Sequence, residues 1–194
     1  MRACLAALLL LVSSLVFARP EKGKDYLDID PPVSHQGREL IEFFYYGCPE
    51  CLDLEPFLKD WLASRPDVTL VRLPAFRDAW LPLARAYYSL QMLGEEKRLR
   101  GRIYSAMQNR GLDLDKESVL FEWLGWQGID MKKFGRLYRS REVDMKIMDS
   151  KDLATRSGIS GVPSLIVAGR YLVLGNLANG ELLDALFEMA GQAK

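Results

Sequence analysis

Apolar residues recur along this chain with two different periods. Residues 40–45, Leu-Ile-Glu-Phe-Phe-Tyr, are aromatic and β-branched, which predicts a buried strand. From Pro49 the period changes: Leu54, Phe57, Leu58, Trp61 and Leu62 recur at helical spacing until Arg65-Pro66-Asp67. Pro56 falls inside that pattern and predicts a kink. Residues 68–73 read as a second strand, stopped by Pro74. From about residue 80 to 156 nearly everything is helical in pattern. Leu83, Tyr87, Leu90 and Leu93 form one stripe before Gly94, and Leu99, Ile103 and Met107 form another before Gly111. Asp115 is placed to cap a helix over 119–124 that Gly125 ends, and Asp130 to cap a helix carrying Phe134, Leu137 and Tyr138. A further helix runs to about Ser157, with Gly158 as its stop, and Trp123 and Trp126 read as core residues. Strands return at 164–167 and 171–174 around a hairpin turn at Ala168-Gly169-Arg170. Asn179 caps a last helix with Leu182, Leu183, Leu186, Phe187 and Ala190 on one face. The order predicts an α/β sheet interrupted by a helical insertion.

The start of the chain belongs to a different class. Met1-Arg2-Ala3 precedes an apolar stretch over 4–17 that is short for a bilayer span, and Val16-Phe17-Ala18 offers small residues where a signal peptidase reads. Residues 1–18 are read as a cleaved secretory signal; an uncleaved membrane anchor is the competing reading. Residues 19–37, with Pro20, Gly23, Pro31, Pro32 and Gly37 among charges, read as an extended arm. Among 194 residues, 26 basic side chains face 26 acidic ones, and removal of the signal takes only Arg2. No basic field remains to attract nucleic acid or an anionic membrane.

The signal would also carry away Cys4, one of three cysteines. An exported chain left with one closely spaced pair is not using disulfides as scaffolding. That pair is Cys48-Pro49-Glu50-Cys51, at the point where the strand pattern gives way to the helical one. A first cysteine at a helix N-terminus meets unpaired N–H groups and the positive end of the helix dipole, which favour the thiolate that attacks disulfides. Two other readings stand beside a redox dithiol. A zinc half-site lacks a second pair, and the one histidine, His35, lies among loop-like residues. A structural bridge over so short a loop would constrain the unfolded chain little.

A second motif is Gly161-Val162-Pro163-Ser164, an X-Pro bond at the entrance to a strand and so a candidate cis peptide. With the segment Glu42-Phe43-Phe44-Tyr45-Tyr46-Gly47 leading into the two cysteines, it resembles the thioredoxin superfamily, and within it the DsbA-like thiol-disulfide oxidoreductases. The resemblance implies a thioredoxin-like domain over 38–76 and 158–194, with an inserted helical domain over 77–157. It implies that Cys48 is the exposed nucleophile, that Cys51 is the buried resolving cysteine, and that Pro49 and Glu50 modulate the pair. Val162 and Pro163 would offer backbone groups to an extended client segment. Glu42 would move the proton of the buried cysteine; the competing reading of Glu42 is an exposed strand residue. Arg72, on the following strand, is placed to be its charge partner. DsbA itself has a histidine at the position of Glu50. An anion there opposes the thiolate, which predicts a weaker oxidant unless Glu50 points into solvent. The implied protein is a periplasmic, monomeric oxidase without cofactor or metal. It would donate its disulfide to cysteines of exported proteins and be reoxidised by a DsbB-like quinone-linked membrane protein. A dithiol reductase or isomerase, and a chaperone-like binder of unfolded exported chains, are the alternatives.

Overall fold

The computed structural model describes residues 19–33 and 38–192. The expected signal over 1–18, with Cys4, lies outside the described residues, as do His35 and Gly37. The first expected strand is β2 (Arg38–Phe44) and the second is β3 (Val68–Pro74), joined in parallel through helix α1 (Pro49–Ala63). A parallel pair needs such a crossover, and the amphipathic stretch after Pro49 supplies it. β4 (Ser164–Val167) lies antiparallel on β2, and β5 (Tyr171–Val173) returns beside β4. In the turn between them Ala168 and Gly169 have φ of 49° and 65°, and Arg170 N–H closes on Val167 O at 3.0 Å, the primed turn that right-twisted strands favour.

One strand was not anticipated. Part of the expected arm is β1 (Tyr26–Asp28), paired antiparallel with β5. The sheet order is β1-β5-β4-β2-β3. The N–H groups of Ile29 and Val33 continue the attachment to Arg170 O and Gly169 O at 2.7 and 2.9 Å.

Helices α2 (Leu81–Met92), α3 (Glu96–Gln108), α4 (Glu117–Trp126), α5 (Met131–Tyr138) and α6 (Arg141–Arg156) all fall between β3 and β4, so the fold is a thioredoxin-like α/β sheet with inserted helices. The alternation of β2 assigns its faces. Leu40 packs with Leu54, Leu58 and Trp61 of α1 and with Leu183, Leu186 and Phe187 of α7 (Gly180–Gln192). Ile41 and Phe43 pack on the opposite face, against Leu153 and Ala154 of α6. Glu42 therefore points to the α1 side, beneath the cysteines. Among the described residues, no helix is long and apolar enough to cross a membrane.

α1 runs through Pro56 as one helix, with buried Leu54, Leu58 and Trp61 on either side of the proline. Three local expectations are corrected. Asp115 caps nothing: Lys116 occupies the N-cap of α4 without a side-chain bond, and Asp115 is engaged by the Tyr45 hydroxyl. Gly125 lies inside α4, whose stop comes at Gly128, where φ is 78°. Trp123 is core at 4% exposure, but Trp126, at the last position of α4, is 71% exposed. The caps expected from Asp130 and Asn179 form, on the N–H groups of Lys132 and Lys133 and of Leu182.

Leu58, fully buried between β2 and α7, tests this packing. Leu58→Ala is expected to cost about 2–5 kcal/mol. Urea titration should show a lowered midpoint with an unchanged slope.

Candidate active site

The turn that ends β2 places Cys48 as the N-cap residue of α1, with φ −88° and ψ 115°, and no side chain caps that helix end. Pro49 follows in the first turn, where its missing N–H costs nothing. Cys48 and Cys51 are both free thiols. Cys51 is fully buried, and Cys48 is only 8% exposed, which corrects the expectation of an openly exposed nucleophile. The reason is local: Cys48 Sγ sits 3.5 Å from Val162 O and 3.4 Å from a Glu50 carboxylate oxygen. The Val162–Pro163 bond is cis. Glu50 and Pro163 share a cavity of about 410 Å³ with Asp53, Leu54 and Leu177. The structure thus brings Cys48, Cys51, Pro49, Glu50, Val162 and Pro163 together, with Glu50 beside the sulfur rather than turned away from it.

Electrostatics follow from this packing. Burial pushes the Cys48 thiol up; hydrogen bonds with the thiol and backbone of Cys51 pull it down, and Glu50 adds to the rise. Burial likewise raises the Cys51 thiol. Beneath it Glu42 is fully buried. Arg72, opposite it in the parallel register, donates from Nε to Glu42 Oε2 at 2.7 Å. Desolvation nevertheless outweighs Arg72 and raises the Glu42 carboxyl to about 7. Among the described residues, Glu42 Oε1 and the Tyr104 hydroxyl are buried without a hydrogen-bond partner.

Several residues at the site had no sequence expectation. From Arg72 the pairing continues to Glu55 at 3.0 Å, from Glu55 to Arg100 at 3.4 Å, and from Arg100 to Glu96 at 2.6 Å. Glu96 also accepts from the Tyr46 hydroxyl at 2.9 Å. Glu96, Arg100, Tyr104 and Gln108 succeed one another at every fourth position of α3, so they share one helix face. The signal for them was a polar stripe beside the apolar stripe of Leu99, Ile103 and Met107. Tyr45 stacks on Trp80 at 4.2 Å and bonds Asp115, and a Cβ at Gly47 would run into the Tyr45 ring.

The DSBA-like thioredoxin domain matches residues 77–187 of this chain. The chain is 34% identical to the thiol:disulfide interchange protein DsbA of Bordetella pertussis, over 84% of this chain and 80% of that protein. The chain belongs to the DSBA-like family. DsbA of Pseudomonas syringae is also 34% identical, over 87% of this chain and 82% of its own. The crystal structure of DsbA from Xylella fastidiosa superposes with a TM-score of 0.82 at 27% identity, covering 91% of this chain and all of the other (100%). That of Pseudomonas aeruginosa DsbA gives 0.80 at 30% identity, covering 88% and 94%. The DSBA-like chain is accordingly a thiol-disulfide oxidoreductase.

Two outcomes are expected. Glu50→Gln removes an anion beside the sulfur and should lower the titration midpoint of Cys48 by roughly half a pH unit, read from thiolate absorbance in the reduced protein. For Glu42, the folded carboxyl keeps its proton up to about pH 7, whereas the unfolded chain releases it near 4.5. The folded state therefore binds more protons between these values, and stability falls as pH rises through that window, by up to about 3 kcal/mol. Denaturation of the reduced protein across pH 4–8 should show that fall, and Glu42→Gln should flatten it.

Proposed function

We propose that this DSBA-like oxidoreductase works in the periplasm and donates the Cys48–Cys51 disulfide to cysteines of exported proteins. The observation that carries the reading is Cys48 at the uncapped N-terminus of α1, against Val162 O, with Cys51 buried behind it. A client thiolate attacks Cys48 Sγ, the Cys48–Cys51 bond breaks, and Cys51 leaves as a thiolate. A second client thiolate attacks the client sulfur of the mixed disulfide and expels Cys48. The client loses two electrons and two protons, and the pair gains them as two thiols. Glu42 takes the role of proton carrier for Cys51, since a carboxyl near pH 7 both gives and accepts protons there. Val162 and Pro163 present backbone to an extended client segment, a mode that tolerates many sequences. Reoxidation falls to a DsbB-like quinone-linked membrane protein.

In this reading residues 1–18 are the export signal and 19–37 the arm. Residues 38–76 with 158–194 form the thioredoxin-like domain, and 77–157 form the inserted helical domain. The protein acts as a monomer.

A second reading, a periplasmic dithiol reductase, is favoured by Glu50 at 3.4 Å from Cys48 Sγ. An anion beside the sulfur disfavours the reduced thiolate and makes the disulfide harder to give away. Equilibration with glutathione separates the two. The expected potential is more negative than the value of about −120 mV typical of DsbA, and well above the value of about −270 mV typical of thioredoxin. A value near the latter would replace the oxidase reading with the reductase one.

A further inference from the structure

We infer that Gln108 is a positioning residue for Cys48, through which the inserted helices hold the reactive turn in the geometry on which the acidity of its thiol depends. The inference deepens the thiol-disulfide reading above and rests on it.

Gln108 is the last residue of α3. Its Nε2 donates at 3.0 Å to Tyr46 O and at 3.0 Å to Cys48 O. A side-chain amide carries two N–H groups, so both bonds form at once. The three polar residues that precede Gln108 on this face of α3 engage differently. Glu96 and Arg100 bond side chains, and Tyr104 packs against the Tyr46 ring at 5.2 Å. Gln108 alone reaches the main chain of the segment that carries Cys48.

Tyr45 and Tyr46 are anchored through their rings and hydroxyls, and the main chain of the segment through local bonds. Cys48 N–H closes on Tyr45 O at 3.0 Å, and the first bond of α1, from Leu52 N–H to Cys48 O, is long at 3.3 Å. The two carbonyls that Gln108 holds flank the residue whose sulfur must bear charge. Around that sulfur, Glu50 and Val162 O oppose the anion, while the N–H and thiol of Cys51 favour it. With opposing groups so close, the orientation of the Tyr46–Gly47 and Cys48–Pro49 peptide units decides the balance, and the Gln108 amide fixes that orientation from α3. The amide also draws the negative ends of two carbonyl dipoles onto itself. Gln108 borders a cavity of about 440 Å³ with Tyr45, Gly47 and Pro49, separate from the cavity that Glu50 and Pro163 line.

Gln108→Met keeps the length of the side chain and deletes both donors. Loss of these bonds is expected to lower the acid dissociation constant of Cys48 roughly three- to tenfold. The readouts are thiolate absorbance against pH and the pH profile of Cys48 alkylation, in the reduced full-length protein. A merely structural Gln108 would reduce thermal stability and leave the dissociation constant within about twofold of the parent; that result overturns the inference. If Gln108→Met does not fold, the equally uncharged Gln108→Ala decides by the same readouts. A parent protein that exchanges no disulfide with glutathione would instead sink the functional reading, and the titration comparison would still stand.

Discussion

The site depends on keeping one carboxyl, Glu42, in the interior of a sheet. Removing a carboxylate from water costs several kcal/mol, more than a single ion pair returns unless its other lone pairs are satisfied. Arg72 supplies one bond at 2.7 Å, and Glu42 Oε1 has none among the described residues. The result is a group whose carboxyl titrates near 7 rather than one locked as an anion. Arg72 is itself shared with Glu55, Glu55 with Arg100, and Arg100 with Glu96. The desolvation cost of one residue on β2 is thereby spread over β3, α1 and α3.

That spread explains why the helices between β3 and β4 belong to the site. α3 contributes two members of the charged chain, and at its end the amide that holds Tyr46 O and Cys48 O. Tyr45, bonded to Asp115 and stacked on Trp80, fastens the other side of the same turn to residues of the insertion. Both cysteines pack in the cluster that contains Leu83, Ile103 and Phe134 of the inserted helices. A displacement of the helical layer would move the backbone on which Cys48 rides.

Much of this was legible in the sequence because it is written in local patterns. The strand-like run into two cysteines, the helical spacing after Pro49, the caps at Asp130 and Asn179, and the turn at Ala168-Gly169 each reside in a few adjacent residues. What escaped depended on distant partners. β1 exists because β5 offers an open edge, and nothing in Tyr-Leu-Asp announces that. Asp115 has the composition of a cap but meets Tyr45, seventy positions away, instead. The Arg72 partnership of Glu42 was expected from adjacency of strands, whereas Glu55, Arg100 and Gln108 required the placement of α3. Trp126 carried the spacing of a core residue, but its position at the end of α4 leaves it in solvent.

The acidity of Cys48 follows from magnitudes rather than from Glu50 alone. An exposed charge beside a sulfur is worth about 0.2–1 kcal/mol, under one pH unit. A helix N-terminus contributes about 0.3–1 kcal/mol in the opposite sense, and more when partly buried. These two nearly cancel, so neither sets the outcome. Burial is the largest effect on this thiol, and it comes from the fit of the turn beneath Val162. Replacing Glu50 with a cation would move the thiol in the direction of DsbA, but a value as low as about 3.5 also requires a more open and better solvated sulfur. The cis-proline loop is therefore the element that restrains the Cys48 thiol.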